Sequence, residues 1–272
     1  WLNDPTIDLP LALCWANEPW TRSWDGQDQD VLIPQTYGED WANRFWDDIS
    51  PILRDSRYVT VGGRPLLVIY RLGELPEPIA ALKAWAQRAA DDGLPGLHIR
   101  AVMSSREVAH LSEDVVRVTG GLVEFPPGSA VDARSLRERR GGLTSATSGD
   151  VYSYDTSARS QANQRSFVDV AAPGVMTGWD NTARRGNSAF VFHGSTAPTF
   201  HRWLMRTGQR LESGAGSIFI NAWNEWAEGA CLEPSSRAGR AFPRTVCEVF
   251  GWGQSVHGPR QVARNRPTTL GD

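Results

Sequence analysis

Hydrophobic positions along the chain gather into short unbroken runs, separated by stretches with helical or loop spacing. Six runs read as strands: LPLALCWA (9–16), RPLLVIYR (64–71), LHIRAVM (97–103), GLVEF (121–125), GVMTGW (174–179) and SIFINAW (217–223). A seventh, AFVFH at 189–193, is shorter and less distinct. Most are continuously apolar instead of alternating, as expected for strands buried on both faces of a parallel sheet. Between them, EDWANRFWDDI places Trp41, Phe45 and Ile49 at four-residue spacing. PEPIAALKAWAQRAADDG sets Ile79, Leu82, Ala86 and Ala89 on one stripe and stops at Gly93. STAPTFHRWLMRTGQRL opens with Thr196 and Pro198 and carries Phe200, Trp203 and Leu204 as its apolar face.

Strand–helix alternation of this kind argues for an α/β fold. Two features favour a (β/α)8 TIM-type barrel over an open sheet. No Gly-rich phosphate loop follows any strand, and functional-looking residues follow nearly every one. Eight strands need one more at the start, which would lie before Trp1 in an N-terminally truncated chain. Residues 1–253 are expected to form the barrel domain, 128–150 a long loop or lid, and 254–272 a disordered tail without periodicity.

Composition narrows the possibilities. A chain of 272 residues suits a single barrel. Net charge is -3 with acids and bases interspersed, which leaves no electrostatic footprint for nucleic acid or an anionic membrane. No apolar run approaches the roughly 20 residues that span a bilayer. Cys14, Cys231 and Cys247 are odd in number and lack metal-ligand spacing. They read as reduced thiols in core or near-core places, which points to the cytoplasm. Tryptophan is the unusual feature, with twelve in the chain. Trp1, Trp15, Trp20, Trp24, Trp179, Trp223 and Trp226 lie outside the helices, mostly where strands end, and suggest flat apolar platforms.

The densest candidate chemistry is NAWNEWAEGACLEP (221–234), which holds Glu225, Glu228 and Glu233. Alternation puts Ile218, Ile220 and Ala222 on one face of its strand, and Phe219, Asn221, Trp223 and Glu225 on the other. The first set suits packing against helices. The second would point inward and bring Glu225 to the C-terminal rim, where barrel enzymes hold their chemistry. Gly229 and the broken apolar pattern predict a turn that returns Glu228 to the same pocket. Two carboxylates in a partly dry pocket cannot both ionise freely, so one serves as acid and the other as base. Glycoside cleavage needs that division of labour. An E-x-x-E spacing alone better fits glutamates that only hydrogen-bond loop amides; with Trp223, Asn224 and Trp226 around it, the two readings stand level.

A second dense stretch, LCWANEPWTRSWDG (13–26), again follows a strand. Trp15, Trp20 and Trp24 offer stacking faces, and Asn17, Glu18, Arg22 and Asp25 offer hydrogen bonds. That mixture suits a sugar, which has apolar C–H faces and hydroxyl rims. A hydrophobic lid with one internal salt bridge is the alternative. MTGWDNTARRG (176–186) repeats the mixture with Trp179, Asp180 and Asn181. Its Arg184 and Arg185 either clamp an anionic group such as a uronate or phosphate or, the favoured reading, pair with nearby acids. Tyr70, Arg71 and Glu124 stand at strand ends as candidates to line the pocket. His193 is a proton relay or a structural histidine. Asp28-x-Asp30 resembles the metal-binding diad of some nucleotide-sugar transferases, at a spacing common by chance.

In order, LCWANEPWTRSWDG, VEFPP, GWDNTARRG, FHGST and INAWNEWAEGACLEP resemble the WbsX-like family over about residues 5 to 250. That family is related to glycoside hydrolase family 99 and often occurs in loci for polysaccharide biosynthesis, lipopolysaccharide included. The resemblance implies a (β/α)8 barrel with a sugar-binding cleft, a carbohydrate substrate, and no metal or cofactor. The related hydrolases carry an E-W-x-E motif, matched by Glu225-Trp226-Ala227-Glu228. Carried over, Glu225 would be the base toward the sugar 2-hydroxyl, which attacks the anomeric carbon to give an anhydro-sugar. Glu228 would be the acid that protonates the departing oxygen and later activates water. The chain departs from the family at Pro19, typically asparagine, at Gly128, where histidine is common, and in the tyrosine- and tryptophan-rich first strand. The resulting expectation is a retaining, endo-type glycoside hydrolase acting on a bacterial poly- or oligosaccharide. A polysaccharide-building glycosyltransferase and a non-catalytic glycan-binding module are its alternatives.

Overall fold

A computed structural model describes residues 1–22, 27–103, 114, 118–130, 149–163, 171–186, 189–211 and 216–251. The elements begin with β1 (Leu13–Trp15), β2 (Trp20–Arg22), β3 (Gln27–Ile33), α1 (Trp41–Leu53), β4 (Thr60–Val61), β5 (Arg64–Ile69) and α2 (Pro78–Asp91). There follow β6 (His98–Met103), β7 (Leu122–Glu124), β8 (Asp150–Ser153), α3 (Tyr154–Asn163), β9 (Ala171–Ala172), β10 (Gly174–Met176), β11 (Trp179–Asp180) and α4 (Thr182–Arg185). The last are β12 (Phe190–His193), α5 (Ala197–Arg210), β13 (Phe219–Asn221), β14 (Asn224–Glu225), β15 (Ala230–Cys231) and α6 (Ala241–Phe250). The expected lid falls mostly outside the described residues; of it, Gly128–Ala130 forms a short 3-10 turn and Asp150 begins β8. The expected disordered tail lies outside them altogether.

The fold is mixed α/β with mostly parallel pairing. β1, β5, β6, β7 and β9 lie side by side and parallel, and β4 adds to β5 antiparallel. β10 runs parallel to β13, and β8 to β12, with β11 antiparallel on β12. All six predicted runs and the doubtful seventh contain strands. The three predicted helices are present, though α1 passes Ile49 and runs through the exposed Pro51 to bury Leu53. Thr196 and Thr199 form a reciprocal capping box at the start of α5, as the Thr and Pro signals required.

Register and alternation assign the two faces of the sheet. Leu67 and Ile69 of β5 join Ile99, Ala101, Met103 and Leu122 in a layer beneath α1 and α2, where Trp46 and Trp85 are fully buried. Leu66 and Val68 face the other way with Val102, Val123 and Ala172, and Tyr70, Phe125 and Phe219 pack on them. Both faces are apolar, which is why these strands read as continuous runs. A second helical layer, with Tyr154, Phe200, Trp203 and Leu204 at its centre, packs beside Val175, Met176, Ile218 and Ile220. The opposite burial of Ile220 and Phe219 follows the alternation expected for that strand.

The cysteines correct one expectation. All three are free, but Cys14 and Cys247 are exposed and Cys231 is half-buried, so none is a core residue. Cys14 sits on β1, the edge of its sheet, where one flank has no neighbouring strand among the described residues. No described helix is long and apolar enough to cross a membrane.

Candidate active site

The chain does turn after Glu225. β14 and β15 pair antiparallel, Asn224 with Cys231 and Glu225 with Ala230, around a 3-10 turn at Trp226–Glu228. Gly229 closes the turn at φ 65°, a left-handed conformation that disfavours side chains, and packs against the backbone of Asp180. Glu228 thereby reaches α4, where its Oε1 lies 2.8 Å from Arg184 Nη1. Burial pushes the Glu228 carboxyl above its usual pKa, the Arg184 cation opposes this, and the Glu225 carboxylate adds to the rise. Arg185 also acts on Glu228, weakly and in the same sense as Arg184. The favoured reading of the arginine pair, pairing with acids, holds for Arg184.

Asp180 and Asn181 build the platform for Arg184. Asp180 Oδ1 accepts from the Thr182 backbone N–H (3.0 Å) and hydroxyl (2.7 Å) at the start of α4. The buried Asn181 accepts from Phe190 N–H at 2.9 Å and ties the helix to β12. Trp223 and Trp226 stand 56% exposed beside the turn, and Trp226 Nε1 donates to Glu233. Asn224 is exposed as well.

The stretch after β1 joins the stretch after β5. Asn17, 1% exposed, accepts from Arg71 N–H (2.8 Å) and donates to Arg71 C=O (2.9 Å) and to the Tyr37 hydroxyl (3.1 Å). Arg71 Nε donates to Glu18 at 3.1 Å, and its guanidinium lies 4.5 Å over the Tyr70 ring. Burial raises the Tyr70 hydroxyl pKa; Arg71 opposes the rise, and Glu18 and Glu228 both contribute to it. Trp20 is 61% exposed on the β2–β3 hairpin, beside the exposed Val31, Leu32 and Ile33. Arg22 pairs with Asp30 at 3.4 Å. Trp24, Asp25 and the Asp28 side chain lie outside the described residues. Among those described, no group of three or more His, Cys, Asp or Glu side chains is arranged to hold a metal ion.

A family model for "Glycosyltransferase WbsX" matches residues 1–246. The chain belongs to the WbsX family. It is 37% identical, over 89% of its length, to the uncharacterized protein WxcX of Xanthomonas campestris pv. campestris strain B100, and equally to that of strain ATCC 33913. The chain spans 35%, about a third, of the length of these curated relatives. A solved structure of a glycoside hydrolase-like protein aligns over 77% of this chain and 60% of its own, with a TM-score of 0.52 at 13% identity. That is a likeness of fold. Two structures of the GH99 endo-alpha-mannosidase from Bacteroides thetaiotaomicron cover 92% of this chain. The alignments take in 84% and 80% of those chains, with TM-scores of 0.45 and 0.48 at 16% and 15% identity.

Within this WbsX-family chain, three expected pocket residues face elsewhere. Trp15 pairs in register with Ile69, so it joins the layer beneath α1 and α2, stacked on Phe45 at 4.0 Å. Trp179 is 8% exposed and stacks on Phe190 at 5.7 Å. Val123 lies on the face of β7 shared with Leu66, Val68 and Val102, which turns Glu124 to the opposite face. There Glu124 pairs with Arg210 of α5 at 2.7 Å and accepts from Gln161 (2.8 Å) and Gly174 N–H (3.1 Å). Its role is to pin β7 to α3, α5 and β10. His193 ends β12 exposed to solvent. Tyr37 and Gln161, which no motif had singled out, supply partners to Asn17 and Glu124. What remains is two groups: Glu228 with Arg184 and Glu225 at the β14–β15 turn beside the exposed Trp223 and Trp226, and Asn17, Glu18, Tyr70 and Arg71 after β1 and β5.

Proposed function

We propose that this chain carries a retaining glycoside hydrolase centre on a (β/α)8-type frame, acting on a bacterial poly- or oligosaccharide. The observation that supports it most is the β14–β15 turn, which sets a half-buried Glu228 of raised pKa beside Glu225 and two exposed tryptophans. Glu225 takes the proton of the sugar 2-hydroxyl as that oxygen bonds to the anomeric carbon. The bond from that carbon to the leaving oxygen breaks, and Glu228 gives its proton to the departing group. Glu228, now a carboxylate, takes a proton from water, whose oxygen attacks the anomeric carbon and opens the anhydro-sugar. Glu225 returns its proton to the 2-oxygen. Arg184 holds Glu228 in position, and a bound sugar displaces water and tips the balance toward the protonated acid. Trp223 and Trp226 offer stacking faces for neighbouring sugars.

The test is a screen of the protein against poly- and oligosaccharides, with the first-formed anomer followed by proton NMR. The expected result is release of reducing ends with retained configuration, lost in Glu225→Gln and Glu228→Gln. An inverted product, or full activity in Glu225→Gln, overturns the mechanism. The family's description as a glycosyltransferase supports a second reading, building of polysaccharide in the same cleft. Sugar transfer from a nucleotide- or lipid-linked donor, without release of reducing ends, would decide for it.

A further inference from the structure

The opposite ends of the central strands carry an unexpected charge. Leu66 pairs with His98 and Val68 with Arg100, so alternation puts Arg64, His98 and Arg100 on the face shared by Leu66, Val68 and Val102. This cluster starts β5 and β6, whereas Tyr70 and Arg71 follow the other end of β5. His98 is 6% exposed. Gly120 lies flat against its ring, and a Cβ there would come within 2.6 Å of Cε1. Arg100 Nε donates to His98 Nε2 at 3.1 Å, and Arg100 Nη1 donates to the Leu122 carbonyl at 2.9 Å. On the other side of the ring, Arg64 Nη2 lies 3.4 Å from His98 Nδ1.

The hydrogen-bond account does not close. A guanidinium nitrogen only donates, and a neutral imidazole accepts at one nitrogen only. With Nε2 accepting from Arg100, Nδ1 bears the proton and confronts Arg64 donor to donor. The other tautomer moves the conflict to Arg100, and a protonated ring has it on both sides. Whatever the protonation state, the cluster lacks an acceptor among the described residues. It also lacks negative charge: among the described residues no carboxylate lies within ion-pair distance of Arg64 or Arg100. Burial lowers the pKa of Arg100 without any acid acting against it. Burial, Arg100 and Arg64 likewise lower that of His98.

We propose that Arg64, His98 and Arg100 form a binding site for a tetrahedral oxyanion, either inorganic phosphate or a phosphate or sulfate group on a larger molecule. One oxygen accepts from both His98 Nδ1–H and Arg64 Nη2–H and so supplies the missing acceptor, while the anion neutralises the two guanidinium groups. The site lies apart from Glu225 and Glu228, so its test is independent of the sugar reading.

The test titrates the full chain with inorganic phosphate, sulfate and a simple phosphate monoester, against sodium chloride at matched ionic strength. His98 ring nitrogens are followed by 15N NMR and thermal stability by its midpoint. A saturable shift at Nδ1 and a raised midpoint, neither reproduced by chloride, are expected. Preference for the monoester assigns a group on a larger ligand, and preference for inorganic phosphate or sulfate the free ion. Arg64→Gln, at an exposed position, should keep the fold and weaken binding roughly tenfold or more. The absence of a saturable shift, a chloride response of the same size, or unchanged binding in Arg64→Gln would overturn the proposal and leave water as the acceptor.

Discussion

Arg184 Nη1 lies 2.8 Å from Glu228 Oε1, while burial pulls the Glu228 carboxyl toward its neutral form. Two opposed influences thus set one proton. Removing the cation leaves burial and the Glu225 charge unopposed except by Arg185. Glu228 should titrate above the ordinary 4.5 in the parent, and higher again in Arg184→Gln, read from its side-chain 13C shift. A lower value in the variant would contradict the account. The linkage to stability has a definite sign. A carboxyl raised in the fold contributes stability that is fully present below 4.5 and lost as pH rises through its folded pKa. Glu228→Gln should remove that component from the pH dependence of urea unfolding.

Trp223 has little to lose on folding, being 56% exposed. Trp223→Ala should leave the unfolding midpoint within about 0.5 kcal/mol of the parent. If the indole is a sugar platform, the same change should weaken glycan binding by about 1 kcal/mol, roughly fivefold, by calorimetry. Unchanged affinity for a glycan the parent binds would remove Trp223 from the site.

Glu124 belongs to the architecture. It and Arg210 are both almost fully buried, and the Glu124 carboxylate also accepts from Gln161 and Gly174. Glu124→Ala would take a buried carboxylate away from the Arg210 guanidinium, a loss of up to about 3–5 kcal/mol. Urea unfolding should show it, and the paired change Glu124→Leu with Arg210→Met should recover much of it. A mild effect of Glu124→Ala would mean that water or another group takes the place of Glu124 at Arg210.

The fate of Glu124 shows what one strand read alone can reveal. Continuous apolar runs disclosed the strands, and Gly229 disclosed the turn that carries Glu228. Which face a residue takes depends on register with the neighbouring strand. Trp15 looked like a loop-mouth platform until its pairing with Ile69 placed it under the helices. Val123 turned Glu124 to the opposite face of the sheet by the same logic. The helix Tyr154–Asn163 is not legible in the sequence because Tyr154 and Ala158 are its only deeply buried apolar residues, too thin a stripe for a helical period. In Ala241–Phe250 the early Pro243 reads as a breaker, yet a proline is tolerated in a first helical turn. The ion pair between Arg184 and Glu228 crosses between segments far apart in sequence, and no local spacing could specify it.

Arg57 gathers the beginning of the chain. Its guanidinium donates to the carbonyls of Asp4 (2.8 Å), Ile7 (2.9 Å) and Trp1 (3.2 Å) and lies 4.1 Å over the Trp1 ring. Asp55 holds the guanidinium in place, accepting from Arg57 Nε at 2.8 Å and Nη2 at 2.6 Å. These bonds, then one from the Arg57 backbone, lower the Asp55 pKa to about 2. A depressed carboxylate contributes stability present above the unfolded value of 3.8 and lost as pH falls through about 2. The amides of Asp4, Thr6, Ile7 and Asp8 should therefore lose protection from hydrogen exchange in that window before the β5 amides do. Asp55→Asn should release the same segment at neutral pH while β5 stays protected. Undiminished protection of those four amides in the variant would show that Arg57 holds the segment without Asp55.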